Sequence, residues 1–118
     1  MHKFAIRYAL LLALPLVAAK ESNPGGLNWL PWSDTVFTQA KKENRFVLLD
    51  LEAVWCHWCH VLDETTYKDP ATIALLRSKY LLVRVAQDSR PDLSNRHEDL
   101  GWPATVFLTG EGTSSEQM

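Results

Sequence analysis

Cys56 and Cys59 are the two cysteines of a 118-residue chain, three positions apart in Trp55-Cys56-His57-Trp58-Cys59-His60. A structural disulfide stabilises most by closing a long loop, and this pair closes almost none. Stapling the fold is therefore a poor reason for their presence, which leaves reversible dithiol chemistry or the holding of a metal-type cofactor. A helix starting at the pair would offer unpaired N–H groups and its dipole to a thiolate at Cys56. Cys59, one turn later on the same face, is then placed to resolve a mixed disulfide formed at Cys56. A protonated His57 would favour that thiolate further and make the disulfide more oxidising.

Two cofactor readings compete for the same residues. C-x-x-C-H, here Cys56 to His60, is also the attachment signature of c-type haem, with His60 as an axial ligand. Against haem, the motif follows a buried-type strand and the methionines, Met1 and Met118, are terminal, so His97 is left as the second axial ligand. A Soret band in the purified protein would identify this alternative. A zinc site from Cys56, Cys59, His57 or His60, and His97 is the third reading, weakened because structural zinc usually draws on two separated ligand pairs. His97 itself lies in a polar stretch and reads first as a solvated side chain. The dithiol reading needs no cofactor and no metal.

Further candidates flank the pair. Asp50 lies six positions before Cys56 within an otherwise apolar run. A buried carboxyl there with a raised pKa can accept and return the proton of Cys59, but it can equally hydrogen-bond backbone or face a polar edge, and the run alone leaves these even. Trp102-Pro103 opens a later strand; a cis bond there would hold backbone groups open for an extended substrate. Only about one X-Pro bond in twenty is cis in folded proteins, so the residues alone favour trans. Trp55 and Trp58 either shape a substrate surface or pack half-buried, while Trp29 and Trp32 read as packing an amino-terminal arm onto the domain.

The elements that must position these groups are legible as alternating strands and helices. Glu21 to Pro31 is rich in Asn, Pro and Gly and reads as a linker or arm, placing the domain at 32–118. Ser33 or Asp34 caps a helix through about Asn44, with Val36, Phe37 and Ala40 on its apolar face. Phe46 to Leu51 is a nearly continuous apolar run, as a buried central strand requires. A helix then runs from the CxxC to about Glu64, and Asp69-Pro70 starts another in which Ile73, Leu76 and Tyr80 recur at helical spacing. Leu81 to Val85 is the next strand. Gln87 to Gly101 is a polar loop with a short helix near Pro91, and Ala104 to Leu108 is a third strand before a turn at Gly110 to Gly112. The order implies an α/β fold with a central sheet flanked by helices. Thr113 to Met118 offers no partner strand after that turn, so the reading expects the closing carboxy-terminal hairpin and helix to be missing or truncated. There are no internal repeats and no low-complexity tracts.

Composition bounds the rest. With 47% hydrophobic residues, 22% charged and a net charge of -2, the chain suits one globular domain and lacks the basic footprint that nucleic-acid binding needs. Lys3 and Arg7 precede an apolar run of roughly a dozen residues, short of the ~20 that span a bilayer as a helix. With small residues following, this reads as a signal peptide over 1–19 cleaved after Ala19, and hence as a periplasmic or secreted protein without stable membrane insertion.

Asp50 ahead of Trp55-Cys56-x-x-Cys59 on a strand-to-helix turn, with Pro103 at a later strand start, resembles the thioredoxin superfamily. More narrowly, NWLPW, AKKENRFVLLDL, WCHWCHVLDETTY, RPDL and GWPATVFLTGEG are similar to the thioredoxin-like family of unknown function that includes the spermatogenesis-associated thioredoxin-like proteins, across about Trp29 to Gly112. FVLLDLEAVWC and ETTYKDPA also resemble the carboxy-terminal domain of bacterial transmembrane disulfide reductases. The resemblance implies a thioredoxin fold and thiol–disulfide exchange with disulfide-bearing clients and a redox partner. It also implies Cys56 as nucleophile, Cys59 as resolving thiol, Asp50 as buried proton acceptor and Pro103 as a cis-proline beside the dithiol. Trp102, Trp55, His57 and Trp58 complete the expected substrate surface. His57-Trp58 replaces the Gly-Pro of thioredoxin, so neither potential nor direction carries over. The alternative of a different class is a thioredoxin-fold binding module whose CxxC is a passive redox switch.

Overall fold

The computed structural model describes residues 25–114. Strands β1 (Trp29–Leu30), β2 (Phe46–Glu52), β3 (Tyr80–Ala86) and β4 (Ala104–Leu108) form one sheet in the order β1-β3-β2-β4. β3 runs parallel to both β1 and β2, and β4 is antiparallel to β2. Helices α1 (Asp34–Glu43), α2 (His57–Glu64), α3 (Pro70–Lys79) and α4 (Pro91–Arg96) alternate with the strands. The parallel β2–β3 pair is joined by α2 and α3, the crossover such a pair requires.

Each boundary has a local cause. Ser33 caps α1, its hydroxyl oxygen accepting from Val36 N–H at 3.4 Å, and Asn44 ends the helix in the left-handed region at φ 53. Asp69 caps α3 by accepting from Thr72 N–H at 2.9 Å, with Pro70 at the first helical position. Gly101, at φ 78, makes the turn that leads into Trp102 and β4, a conformation glycine adopts without strain.

β2 is buried on both faces because both are covered. Val47, Leu49 and Leu51 pack with Val36 and Ala40 of α1 and Leu93 of α4. Leu48 points the other way, into a cluster with Tyr67, Leu76 and Leu82. Each fully buried leucine contributes roughly 1.5–3 kcal/mol, so this strand anchors the fold. Asp50 shares the alternation of Leu48 and is 0% exposed, an expensive place for a carboxyl unless it is paired or protonated.

Two expectations change. The arm assigned to 20–31 ends in sheet rather than linker: Trp29 and Leu30 pair with Leu82 and Val83, and Leu27 is buried. Asn, Pro and Gly upstream conceal a strand of two residues, too short to show a period. Tyr80 continues the helical spacing of Ile73 and Leu76 but has extended torsions and opens β3, its ring 6.0 Å from Phe46 and 5.7 Å from Phe107. Between α2 and α3 a 3-10 turn at Thr66–Lys68 buries Tyr67. Beyond β4, a single antiparallel bridge joins Leu108 to Ser114. The expected signal peptide at 1–19 and the last four residues lie outside the described residues.

Candidate active site

Cys56 is the residue that caps α2. Its Sγ accepts from the Cys59 N–H at 3.1 Å, and the two sulfurs are joined as a disulfide with Cα atoms 5.3 Å apart. Both residues are nearly closed off, 3% and 1% exposed, in a small cluster with Ala53 and the flank of Trp102. The surroundings are exposed and aromatic. Trp55 and Trp58 are each about two-thirds exposed, and Val54 is more so. Trp55 meets Trp102 edge-on at 5.8 Å and donates from Nε1 to Gln87 Oε1 at 3.1 Å. His57 lies against Trp58 at 5.2 Å, and His60 Nε2 is 3.2 Å from the Val54 carbonyl. The Trp102-Pro103 peptide is cis.

Asp50 is not alone. The strand register sets it opposite Arg84 of β3, whose Nε donates to Asp50 Oδ2 at 2.9 Å while Nη2 donates to Asp63 Oδ1 of α2 at 2.6 Å. Glu52, two residues along β2 and so on the same face, brings Oε1 to 3.0 Å from Arg84 Nη2, though not in hydrogen-bonding geometry. One guanidinium thus faces three carboxylates. It also lies 3.9 Å from the Trp29 ring centroid, and Trp29 meets Tyr67 edge-on at 5.0 Å, so β1 and the 3-10 turn wall the cluster. Trp32 packs on Phe37.

Burial pushes the Asp50 carboxyl above its ordinary range, against the pull of Arg84. Desolvation, with the neighbouring Asp50 charge, pushes Glu52 up from 4.5 to about 8. Burial likewise raises Tyr67 to about 12. Because the native protein keeps carboxyl protons that the unfolded chain has released, stability contributed by Glu52 is full below about pH 4.5 and is lost as pH rises through about 8. Unfolding in denaturant across that window should show a falling free energy; a flat or rising profile would contradict the assignment.

Among the described residues, the group close enough to share a cation is Asp50, Glu52 and Asp63, within 4.8 Å of one another. Cys56, Cys59, His57, His60 and His97 form no such group there. His97 is partly buried rather than fully solvated, and burial lowers its pKa. It closes α4 and lines a hollow with Trp32 and Leu100. Arg84, Glu52 and Asp63 were not singled out from sequence. Two signals could have found Arg84 and Glu52: a lone cation inside the apolar run of β3, and an acid two residues from Asp50 on a strand.

A family model described as "Protein of unknown function, DUF255", of the DsbH thioredoxin type, matches residues 14–115. The chain belongs to this family. Among curated relatives, spermatogenesis-associated protein 20 of Mus musculus is 31% identical over 103 residues, covering 80% of this chain and 13% of that protein. The thiol:disulfide interchange protein DsbD 2 of Pseudomonas aeruginosa is 29% identical over 82 residues, 67% of this chain and 14% of that protein. The chain therefore spans about one seventh of the curated relatives it matches. Among solved structures, a thioredoxin from Thermus thermophilus is 25% identical with a TM-score of 0.61, covering 70% of this chain and 65% of that one. A DsbH oxidoreductase is 16% identical with a TM-score of 0.63 over 82% of this chain and 77% of that one, a likeness of fold. The fold of this DUF255 domain is thus thioredoxin-like. No helix among its described residues is long and apolar enough to cross a membrane.

Proposed function

We propose that the chain is an exported thiol–disulfide oxidoreductase that exchanges its Cys56/Cys59 pair with protein or small-molecule disulfides. The observation that carries this reading is the cysteine pair at the start of α2, where Cys56 Sγ takes the Cys59 N–H as a helix cap. An acceptor that is favoured as thiol sulfur is favoured more as thiolate, because a charge-assisted hydrogen bond is about twice as strong as a neutral one. Cys56 is accordingly the attacking sulfur and Cys59, the less exposed, the resolving one.

In this reading Asp50 accepts the proton of Cys59, and Trp55, His57, Trp58, Trp102 and Pro103 form the rim that a client must touch. Interchange is named in the DsbD relative. Export rests on the charged and apolar pattern of the first nineteen residues. Equilibration of the chain with glutathione redox buffers tests the reading and sets the direction, since a potential near -270 mV suits a reductant and one near -120 mV an oxidant, about the span of such sites. Failure of the folded chain to exchange with glutathione or to accelerate insulin reduction would favour a passive binding module.

A further inference from the structure

Two buried acceptor atoms in the carboxylate cluster have no donor: Asp50 Oδ1 and Glu52 Oε1. A buried acceptor without a partner costs about 1–3 kcal/mol, more when charged, so two such atoms on adjacent positions of one strand face call for an explanation. Arg84 supplies charge but no hydrogen bond to either atom: its Nη2 lies 3.0 Å from Glu52 Oε1 outside hydrogen-bonding geometry. Its Nε is committed to Asp50 Oδ2, and its Nη2 makes its shortest bond to Asp63. The neighbouring cation Lys68 is held by Glu64 at 2.7 Å. Tyr67, facing the cluster from the 3-10 turn, and Trp29 of β1 bring no positive charge. One carboxylate oxygen from each of Asp50, Glu52 and Asp63 lies within 4.8 Å of the others. A proton held by this carboxyl pair would supply the missing donor and bring three negative charges on one guanidinium down to two.

We propose that Glu52 and Asp50 share one proton and that Glu52, the more exposed of the two, passes protons between buried Asp50 and water. Glu52 is then a positioning residue that acts through Asp50. The step rests on the exchange reading given above. As Cys59 resolves a mixed disulfide, its proton goes to Asp50, its sulfur attacks Cys56 Sγ, and a new S–S bond forms. The client sulfur leaves with the bonding pair as a thiolate, so two electrons pass from the dithiol to the client. The carboxyl pair, now holding two protons, returns to one by losing the other from Glu52 to solvent. Reduction of the chain by a client dithiol runs the same steps backwards. Glu52 suits the outlet because its side chain is 20% exposed, whereas that of Asp50 is 0% exposed.

Carboxyl carbon-13 titration of the full chain, oxidised and labelled at Asp and Glu, tests the shared proton directly. The Glu52 carbon should titrate near pH 8, and the Asp50 carbon should report the same event. In Glu52→Gln that shared step should vanish from the Asp50 carbon. A Glu52 carbon already ionised across the range from about pH 6 to 9 would overturn the shared proton. For the relay, Glu52→Gln should slow disulfide turnover about a hundredfold near neutral pH, at the low end of what a proton-transfer group contributes, with KM little changed. Glu52→Asp should restore part of the rate. An unchanged pH–rate profile in Glu52→Gln would overturn the relay even if the titration stands. Absence of turnover in the unsubstituted chain would overturn the exchange reading, and the titration would still decide the shared proton.

Discussion

Replacing Cys56 with serine is expected to lower disulfide turnover by at least about a thousandfold, the scale on which enzymes respond to loss of their nucleophile. The companion substitution behaves differently. Cys59→Ser keeps the capped sulfur at the start of α2 but removes the group that resolves the mixed disulfide, so the client should remain covalently attached to Cys56. Mass spectrometry of the non-reduced product distinguishes the two variants: an adduct with Cys59→Ser and none with Cys56→Ser. An adduct with Cys56→Ser and none with Cys59→Ser would reverse the assignment of attacking and resolving sulfurs. Neither side chain contributes much to the core beyond its own small cluster with Ala53 and Trp102, so both variants should fold.

The second large effect is on stability. Arg84→Leu leaves three carboxylates facing one another without a cation while preserving much of the apolar contact with Trp29 and Tyr67. Breaking a buried pair by removing one partner costs about 3–5 kcal/mol, and the quarter-exposed guanidinium of Arg84 brings the expectation down to about 2–3 kcal/mol near pH 8. The loss should shrink near pH 5, where the freed carboxyls can take up protons rather than stay buried as anions. Denaturant unfolding at both pH values measures this. An equal loss at both would assign the role of Arg84 to its stacking on Trp29 instead of its charge. Arg84→Lys should fall between, since an ammonium keeps the charge but cannot reach Asp50 and Asp63 with a planar fork.

Local signals carried most of the architecture. Ser33, Asp69 and Pro70 mark helix starts by chemistry that acts within three residues, and these elements begin where that chemistry places them. β2 announced itself because a strand covered on both faces reads as a nearly continuous apolar run. What stayed hidden depended on partners distant in sequence. β1 is two residues long and exists only because β3 offers it an edge. Tyr80 obeyed a helical period while tertiary pairing with Phe46 drew it into the sheet. The same divide runs through the site. Cys56 and Cys59 were legible because their spacing is itself the chemistry, and Asp50 because it interrupts an apolar run. Glu52, Asp63 and Arg84 come from β2, α2 and β3, and only the register that sets Asp50 against Arg84 brings them to one place.

The capping of α2 by the sulfur proposed to react has a thermodynamic consequence. The helix terminus and the redox couple are two legs of one cycle, so whatever free energy the first turn of α2 gains when Cys56 becomes a thiolate is the free energy by which the reduced state is favoured. Reciprocity follows. Fraying of α2 at its far end, at Glu64 or Thr65 well away from either sulfur, weakens the same cap and must make the disulfide less oxidising. The midpoint potential of the pair is in this sense a property of eight helical residues, and sequence drift along that helix retunes it without touching the cysteines.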